Sequence, residues 1–343
     1  MLLFVHSMAH LLVDACCAAA LFGPLGGQAD LGTLIWIYNT LAFSTQCLVG
    51  LAADRVRRHR ISAAAAMVCV AAGFALPLPP VARVILIGLG NSVFHVAAGT
   101  ETLERSGFRA APLGVFVAPG AIGLTLGTLF PGLGPLFAAL LIVAAAASLF
   151  VKAEAVPPSK VSPFSTSSGR SAAAALLLTA AVAVRAVGGT AVRFPWQTGP
   201  ALVLLTTGFV FAGKTAGGFL CDRIGSRRAA WCSVPPAAVL ITFCAAWMLP
   251  ALLGQFALNL TMPITLWLLY CAMPDAPGFA FGLAASALWP GTLIGKMIEL
   301  TGPARWILLL VCFLFGLFAI LFSAPRQSRR DPGRSRPSKS IKE

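Results

Sequence analysis

The sequence predicts an all-α polytopic membrane protein in which twelve transmembrane helices form two pseudo-symmetric six-helix bundles. Three observations predict this fold class: the composition, a series of long apolar blocks, and a loop motif that occurs twice, 168 residues apart. Hydrophobic residues make up 58% of the 343 residues and charged residues 10%, whereas a soluble domain carries about 25% charged residues. The composition therefore excludes a soluble globular protein.

Twelve apolar blocks of roughly 18 to 22 residues follow one another along the chain, which is the length that crosses a ~30 Å hydrocarbon core as a helix. A membrane-spanning segment must satisfy its own backbone polar groups, and blocks of this length do so as helices rather than as barrel strands. The predicted spans are residues 2–22, 31–52, 61–78, 82–101, 110–130, 133–151, 172–192, 199–220, 229–248, 251–271, 278–299 and 303–323.

The loop charges are distributed on one side of these spans. Alternate loops and the carboxyl-terminal tail carry most of the Lys and Arg residues, and the other side keeps only Arg83, Arg193 and Arg305. The positive-inside rule therefore predicts a multi-pass cell-membrane protein, in a bacterial inner membrane, with both termini cytoplasmic. The net charge of +14 is explained by these loops, so nucleic acid is not predicted as a partner. The basic loop residues are Arg55, Arg57, Arg58, Arg60, Arg105, Arg109, Lys152, Lys160, Arg170, Arg223, Arg227 and Arg228.

The chain contains an internal repeat. Gly50-x-x-x-Asp54-Arg55 returns as Gly218-x-x-x-Asp222-Arg223, Asn91 is matched by Asn259, and Pro119-Gly120 is paired with Pro290-Gly291. A duplication of this size is typical of carriers built from two related halves. We predict an N-terminal bundle at 1–151, a cytoplasmic linker rich in Pro and Ser at 152–171, a C-terminal bundle at 172–323 and a disordered basic tail at 324–343.

The two loop motifs resemble the signature of the major facilitator superfamily between helices 2 and 3 and again between helices 8 and 9. Arg57 stands where the first copy of the signature usually has glycine, and Ser226 where the second usually has a basic residue. The resemblance implies the major facilitator fold, with helices 1, 4, 7 and 10 lining a central cavity.

A second stretch is similar to fosmidomycin-resistance-type exporters in that superfamily. It comprises Gly88-Leu-Gly-Asn-Ser-Val-Phe-His95 and Leu113-Gly-Val-Phe-Val-Ala-Pro-Gly-Ala-Ile-Gly123, in the fourth and fifth spans. This resemblance implies proton-driven export of a small anionic compound.

Three ionisable residues of the first span, His6, His10 and Asp14, lie one helical turn apart on a single face. Ionisable groups inside a bilayer face the bundle interior, and histidine exchanges protons near neutral pH. We predict that the three residues couple transport to protons. The alternatives are that the three only form hydrogen bonds within the cavity, with His6 near the interface as a bystander, or that they belong to a metal site, for which the chain offers no clear fourth ligand.

Arg185 lies about thirteen residues into the seventh span, too deep for its guanidinium to reach the cytoplasmic surface easily. It is predicted to bind an anionic substrate; pairing with Asp14 and an outer-side position are the alternatives. Given the implied cavity, Asn91, His95 and Asn259 are predicted substrate contacts, with interhelical hydrogen bonds as the alternative. Lys214 either lines the cavity or reaches the surface.

The repeated motif also predicts gating residues. A carboxylate at one helix end can bind the amino terminus of a neighbouring helix, so Asp54, Arg55, Asp222 and Arg223 are predicted to latch the bundles together in one state. Lys296 and Glu299, spaced i, i+3, are either an ion pair at the outer face or part of a gate.

These features together predict a secondary active transporter that works by alternating access and couples export of a small anionic drug or metabolite to protons. The alternatives are uptake or exchange of an organic anion and, in another class, a membrane-embedded enzyme. We expect no enzymatic activity, no cofactor and no metal. The predicted partners are protons, the substrate and the lipid bilayer, and a monomer is expected.

Overall fold

The computed structural model describes residues 1–152 and 168–325, and these fold as twelve helical spans, α1 to α12. The all-α fold class predicted from the apolar blocks is confirmed. Most of the predicted linker and of the tail, residues 153–167 and 326–343, lies outside the described residues. The spans are α1 Leu2–Phe22, α2 Leu31–Val56, α3 His59–Ala75, α4 Pro80–Arg105, α5 Ala111–Leu129, α6 Gly134–Phe150, α7 Ser168–Ala191, α8 Gly199–Ile224, α9 Ser226–Phe243, α10 Met248–Ala272, α11 Pro277–Met297 and α12 Gly302–Ser323.

Ten of the described helices are long and apolar enough to cross a membrane. The two others are α3, which has 17 residues, and α9, which contains Pro235 and Pro236 in its interior. Helix α7 begins at Ser168, inside the predicted linker, and α11 ends at Met297, before the predicted end at 299. We call α1–α6 the N-terminal half and α7–α12 the C-terminal half, and the face with the Asp54 and Asp222 loops the arginine-rich face.

The two halves meet along two helix pairs, α2 with α11 and α5 with α8. A π-helical turn at Thr40–Ser44 opens the backbone of α2, as such turns do within longer helices. The hydroxyl of Ser286 on α11 uses this opening: it donates to the carbonyl of Phe43 at 3.1 Å and accepts the Cys47 N–H at 2.9 Å. Ser286 therefore ties α11 directly to the backbone of α2.

Matched glycines bring the backbones together at these two crossings. A Cβ atom at Gly114 of α5 would lie 2.6 Å from the carbonyl oxygen of Lys214 on α8, and one at Gly282 of α11 would collide with the carbonyl of Gln46 on α2. Both members of each contact are 168 residues from their counterparts. The repeat seen in the loops therefore extends through the interface between the halves.

The predicted equivalence of Pro119-Gly120 and Pro290-Gly291 is wrong by three residues. Gly291 packs against the backbone of Ala183 on α7. Gly123 and Gly127 pack in the same way against the α1 backbone, at Leu11 and Ala15, and Gly123 is the one that lies 168 residues before Gly291. Gly120 instead faces the side chains of α1. A two-residue Pro-Gly pattern gives the wrong register because it contains no information about the backbone that each glycine contacts.

Candidate functional site

Side chains from α1 and α4 form a compact group inside the N-terminal half, which we call the histidine cluster: His10, Asp14, Asn91 and His95. The Nε2 atoms of His10 and His95 are 2.8 Å apart. The Asp14 carboxylate lies 3.4 Å from Nε2 of His10 and 3.6 Å from Nε2 of His95. The Asn91 amide donates to Oδ1 of Asp14 at 3.1 Å. One carboxylate therefore lies against two imidazoles and an amide donor.

The other nitrogen of each imidazole faces a backbone carbonyl. Nδ1 of His10 is 2.8 Å from the carbonyl oxygen of Phe116 on α5, and Nδ1 of His95 is 2.9 Å from that of Asn91. Helix α5 comes this close because residue 120 is glycine: a Cβ atom there would collide with Nε2 of His10 and lie 2.6 Å from Oδ2 of Asp14. Both rings are thus fixed in orientation at both nitrogens.

His6, predicted to act with His10 and Asp14, faces a different neighbour. Its Nε2 is 3.0 Å from the hydroxyl of Ser148 on α6, and its side chain lines a cavity of about 100 Å³ beside Glu101 and Arg105. Glu101 and Arg105 form an ion pair at 3.0 Å. His6 therefore lies towards the arginine-rich face, while His95, which the sequence placed among substrate contacts, joins His10 and Asp14.

The C-terminal half contains a second group, which we call the cationic site: Arg185, Lys214, Asn259 and Thr261. The guanidinium of Arg185 donates to Oδ1 of Asn259 at 3.0 Å and to Oγ1 of Thr261 at 3.4 Å. Both partners are neutral. Across residues 1–152 and 168–325, no carboxylate lies within 4.0 Å of Arg185 or Lys214. The alternative in which Arg185 pairs with Asp14 is not realised in this conformation.

The cationic site and the histidine cluster are electrostatic neighbours. The charge of Lys214 interacts with Arg185, with Asp14 and with His95. Lys214 and Arg185 are partly exposed, and Asp14 retains 19% of its side-chain exposure. Two cations of the C-terminal half and one carboxylate of the N-terminal half therefore share one region of the interior. The sequence left the position of Lys214 open, and its side chain lies in the interior.

The two matched asparagines bind opposite kinds of group. Asn91 donates to Asp14 and lies 3.8 Å from Sγ of Cys17, while Asn259 accepts from Arg185. Cys17 and Arg185 are 168 residues apart, the same offset as the asparagines. The repeat therefore preserves the amide and replaces a thiol with a guanidinium beside it.

At the arginine-rich face, each aspartate of the loop motif binds the amino terminus of a helix in the other half. Asp54 accepts the N–H groups of Gly278 and Phe279 at 2.7 and 2.8 Å. Asp222 accepts those of Ala110 and Ala111 at 2.7 and 3.0 Å. Free N–H groups and the helix dipole favour a carboxylate at these positions. The two contacts are related by the 168-residue offset in both partners, and each joins the two halves at this face.

The remaining predicted gating residues are placed as follows. Arg55 and Arg223 are exposed at the arginine-rich face. Lys296 and Glu299 are also exposed, and the expected i, i+3 ion pair does not form between them. The reason is that α11 ends at Met297, so Glu299 lies beyond the helix whose spacing would bring the two charges together.

Comparisons with known proteins identify the fold. No protein-family model matches the sequence, and no curated protein matches it either. Among solved structures, a variant of the Escherichia coli fucose:proton symporter FucP is similar with a TM-score of 0.70 at 13% identity, over 94% of this chain and 98% of that one. The major facilitator superfamily transporter FucP in the outward conformation is similar with a TM-score of 0.69 at 12% identity, again over 94% and 98%. The twelve helices therefore have the fold of major facilitator superfamily transporters.

Proposed function

We propose that this chain is a secondary active transporter that moves a small organic anion by alternating access and couples that movement to protons. The observation that carries the proposal is the cationic site: Arg185 and Lys214 are close enough for their charges to interact, and neither has a carboxylate partner within 4.0 Å among the described residues. Charges within the membrane are costly unless they are paired. A substrate carboxylate, phosphate or phosphonate supplies the missing negative charge, and Arg185 binds such groups well because its donors form a planar fork.

The proposed alternating-access cycle rests on the two aspartate contacts at the arginine-rich face. Asp54 and Asp222 each hold a helix of the opposite half, so breaking both contacts lets this face open. The central groups then become accessible from the arginine-rich side of the membrane. In this proposal Asp54 and Asp222 are latches of the closed state, and the exposed Arg55 and Arg223 follow them directly in the sequence.

The proposed direction is export, which is what the similarity to fosmidomycin-resistance-type exporters implies. Uptake together with a proton is the second candidate, and one observation favours it. Because the charges of Asp14 and Lys214 interact, a proton bound in the histidine cluster offsets the negative charge of Asp14 near the anion site. Proton and anion binding then strengthen each other by linkage. The FucP structures are of a fucose:proton symporter.

The proposal is tested by flux into and out of proteoliposomes with a panel of anionic, neutral and cationic solutes, each with and without an imposed pH gradient. We expect flux of at least one small anion and a response of that flux to the gradient. Acidification opposite to the anion's starting side drives export by exchange, while acidification on the same side drives symport. Flux of neutral or cationic solutes only would refute the anion assignment.

Lys214→Gln adds a residue-level test, because glutamine is the residue at the matched position 46 of the N-terminal half. The variant removes a charge and keeps a polar side chain. We expect the KM for the anion to rise roughly tenfold, because the variant loses a charged contact of about 1.5 kcal/mol. Lys152→Gln is the matched control, since Lys152 is exposed beyond the end of α6, and its KM should equal that of the wild type.

A further inference from the structure

The contacts of His10 and His95 define where their protons are. A carbonyl oxygen only accepts hydrogen bonds, so Nδ1 of His10, which faces the Phe116 carbonyl, must carry a hydrogen. For the same reason Nδ1 of His95, which faces the Asn91 carbonyl, must carry one. A neutral imidazole has one hydrogen. In the neutral form of each ring, Nε2 is therefore bare.

Two bare Nε2 atoms cannot face each other at the observed distance of 2.8 Å, because both are acceptors and neither donates. One added proton converts the contact into a hydrogen bond between an imidazolium and an imidazole. Two added protons would place two cations and two N–H groups against each other. The geometry therefore matches one proton for two histidines.

We propose that His10 and His95 bind a single proton jointly, between their Nε2 atoms, with the Asp14 carboxylate as its counter-ion. The step is a reversible protonation: the proton comes from water, a hydrogen bond forms across the two nitrogens, and no other bond changes. The site then holds one positive and one negative charge. That this proton is the coupling ion rests on the proposed transport function, whereas the proton site itself does not.

A metal ion is a poorer occupant of the same atoms. His10, Asp14 and His95 offer three ligand atoms within 4.8 Å of one another. Two imidazole nitrogens on one tetrahedral zinc ion, each at 2.0 to 2.1 Å, would be about 3.3 Å apart. The observed separation of 2.8 Å is too short for that arrangement, while it is an ordinary N–H···N distance.

The histidine pair is enclosed by α5 and by a small set of polar and titratable groups. A Cβ atom at Gly120 would collide with Nε2 of His10, so α5 closes the cluster on that side. Oδ1 of Asn91 is buried and has no hydrogen-bond partner among the described residues. The titratable or charged groups outside the cluster that interact with it are Cys17 on α1, Tyr38 on α2 and Lys214 on α8.

The test is nitrogen NMR of the full chain, labelled with ¹⁵N-histidine, in lipid nanodiscs near neutral pH and purified without a histidine tag. The chain has only four histidines, which makes assignment by single variants direct. We expect two residues whose Nδ1 is protonated and whose Nε2 signal lies between the positions of protonated and bare nitrogen. His10→Gln and His95→Gln should each abolish both intermediate signals, and His59→Gln should leave them unchanged.

Two bare Nε2 signals, two fully protonated ones, or an Nε2–H tautomer in either residue would overturn the shared proton, and the wild-type spectrum alone decides this. Flux separates the site from its function. Intermediate signals with wild-type flux that ignores a pH gradient support the proton site and refute proton coupling. Absent signals with gradient-dependent flux overturn the site and leave the transport proposal standing.

Discussion

The two halves of the molecule share matched contacts where they touch and differ where they enclose charge. At the arginine-rich face, Asp54 and Asp222 bind helix amino termini at matched positions. At the crossings, Gly114 and Gly282 approach matched backbone carbonyls. In the middle of the membrane, the N-terminal half carries imidazoles and a carboxylate, and the C-terminal half carries two cations. Symmetry is kept in these aspartate and glycine contacts between the halves, although not at Ser286, which is matched by Ala118, and it is lost in the groups that bind charge.

Position by position, the difference is a division of chemistry. Arg185 corresponds to Cys17, and Lys214 corresponds to Gln46. In the other direction, His10 corresponds to Leu178 and His95 to Pro263. Each half therefore has apolar or neutral residues where the other has ionisable ones. In the proposed mechanism this places the proton in one half and the anion in the other, so that the two halves can respond to different ligands.

The largest expected effect comes from giving Asn259 the same neighbouring residue type that Asn91 has in the other half. Arg185→Cys gives Asn259 the same neighbour that Asn91 has, and it removes the guanidinium that donates to Asn259 at 3.0 Å. In the proposed mechanism the same guanidinium binds the anion, and a hydrogen bond to a charged group contributes about 1.5 to 3 kcal/mol. We therefore expect the KM for the transported anion to rise roughly 10- to 100-fold. The measurement is the concentration dependence of flux in proteoliposomes.

The matched control for this change is Cys17→Ala in the N-terminal half. Cys17 lies near Asn91 but carries no charge, so anion affinity should stay within about twofold of the wild type. Arg185→Lys should recover only part of the lost affinity, because lysine has no planar fork of donors. An Arg185→Cys protein with an unchanged KM would show that the cationic site does not contact the anion.

The next effect in size tests whether the two latches are equivalent. In Asp54→Asn or Asp222→Asn the amide keeps one acceptor oxygen, loses its charge and turns an NH₂ group towards the second backbone N–H. Each substitution should destabilise the closed conformation by about 1 to 2 kcal/mol relative to the open one. We expect the alkylation rate of Cys271, which is buried with 5% exposure at the end of α10, to rise roughly 5- to 30-fold.

Cys232 on α9 provides the internal control, since it is exposed already and should react at the same rate in all proteins. Mass spectrometry resolves the two cysteines in a single experiment. Equal increases in the two variants would extend the symmetry from geometry to energy. A variant in which Cys271 stays protected would mean that its aspartate does not hold the face closed.

The sequence predicted the spans well because bilayer thickness sets the length of an apolar helix. It could not predict that His95 meets His10, because the two residues lie on different helices and helical periodicity does not define how α4 is rotated against α1. It also extended α11 to residue 299. Ile298 and Leu300 are apolar whether or not the backbone is helical, so hydropathy gave no signal for the end at Met297.

The smallest effect concerns the loop position at which the repeat departs from glycine. Arg57 and Gly225 are matched by the 168-residue offset, and both have positive φ, 51° and 83°. Arg57, with a ψ of 30°, is in the left-handed helical region, which glycine adopts freely and where another residue is destabilised by about 1 to 2 kcal/mol. Gly225, with a ψ of 153°, lies in an extended region that essentially only glycine adopts. Arg57→Gly also increases the freedom of the unfolded chain, which offsets part of the gain. We expect a net stabilisation of about 0.5 to 1 kcal/mol, seen as a small rise in Tm in detergent.

The reverse substitution completes the comparison. Gly225→Ala introduces a Cβ atom at a residue whose φ is 83°, and no neighbouring atom lies within 4 Å of the position of that Cβ. Any change in Tm therefore reports backbone strain rather than a clash. We expect the free energy of unfolding to fall by about 1 kcal/mol or more, which lowers Tm. Gly208→Ala on α8 is the control for adding a methyl group in open space, because its Cβ also meets nothing within 4 Å and its φ is not positive. If Arg57→Gly lowers Tm while Gly225→Ala also lowers it, the arginine side chain contributes more to the loop than its backbone conformation costs, and the two copies of the motif are then stabilised by different means.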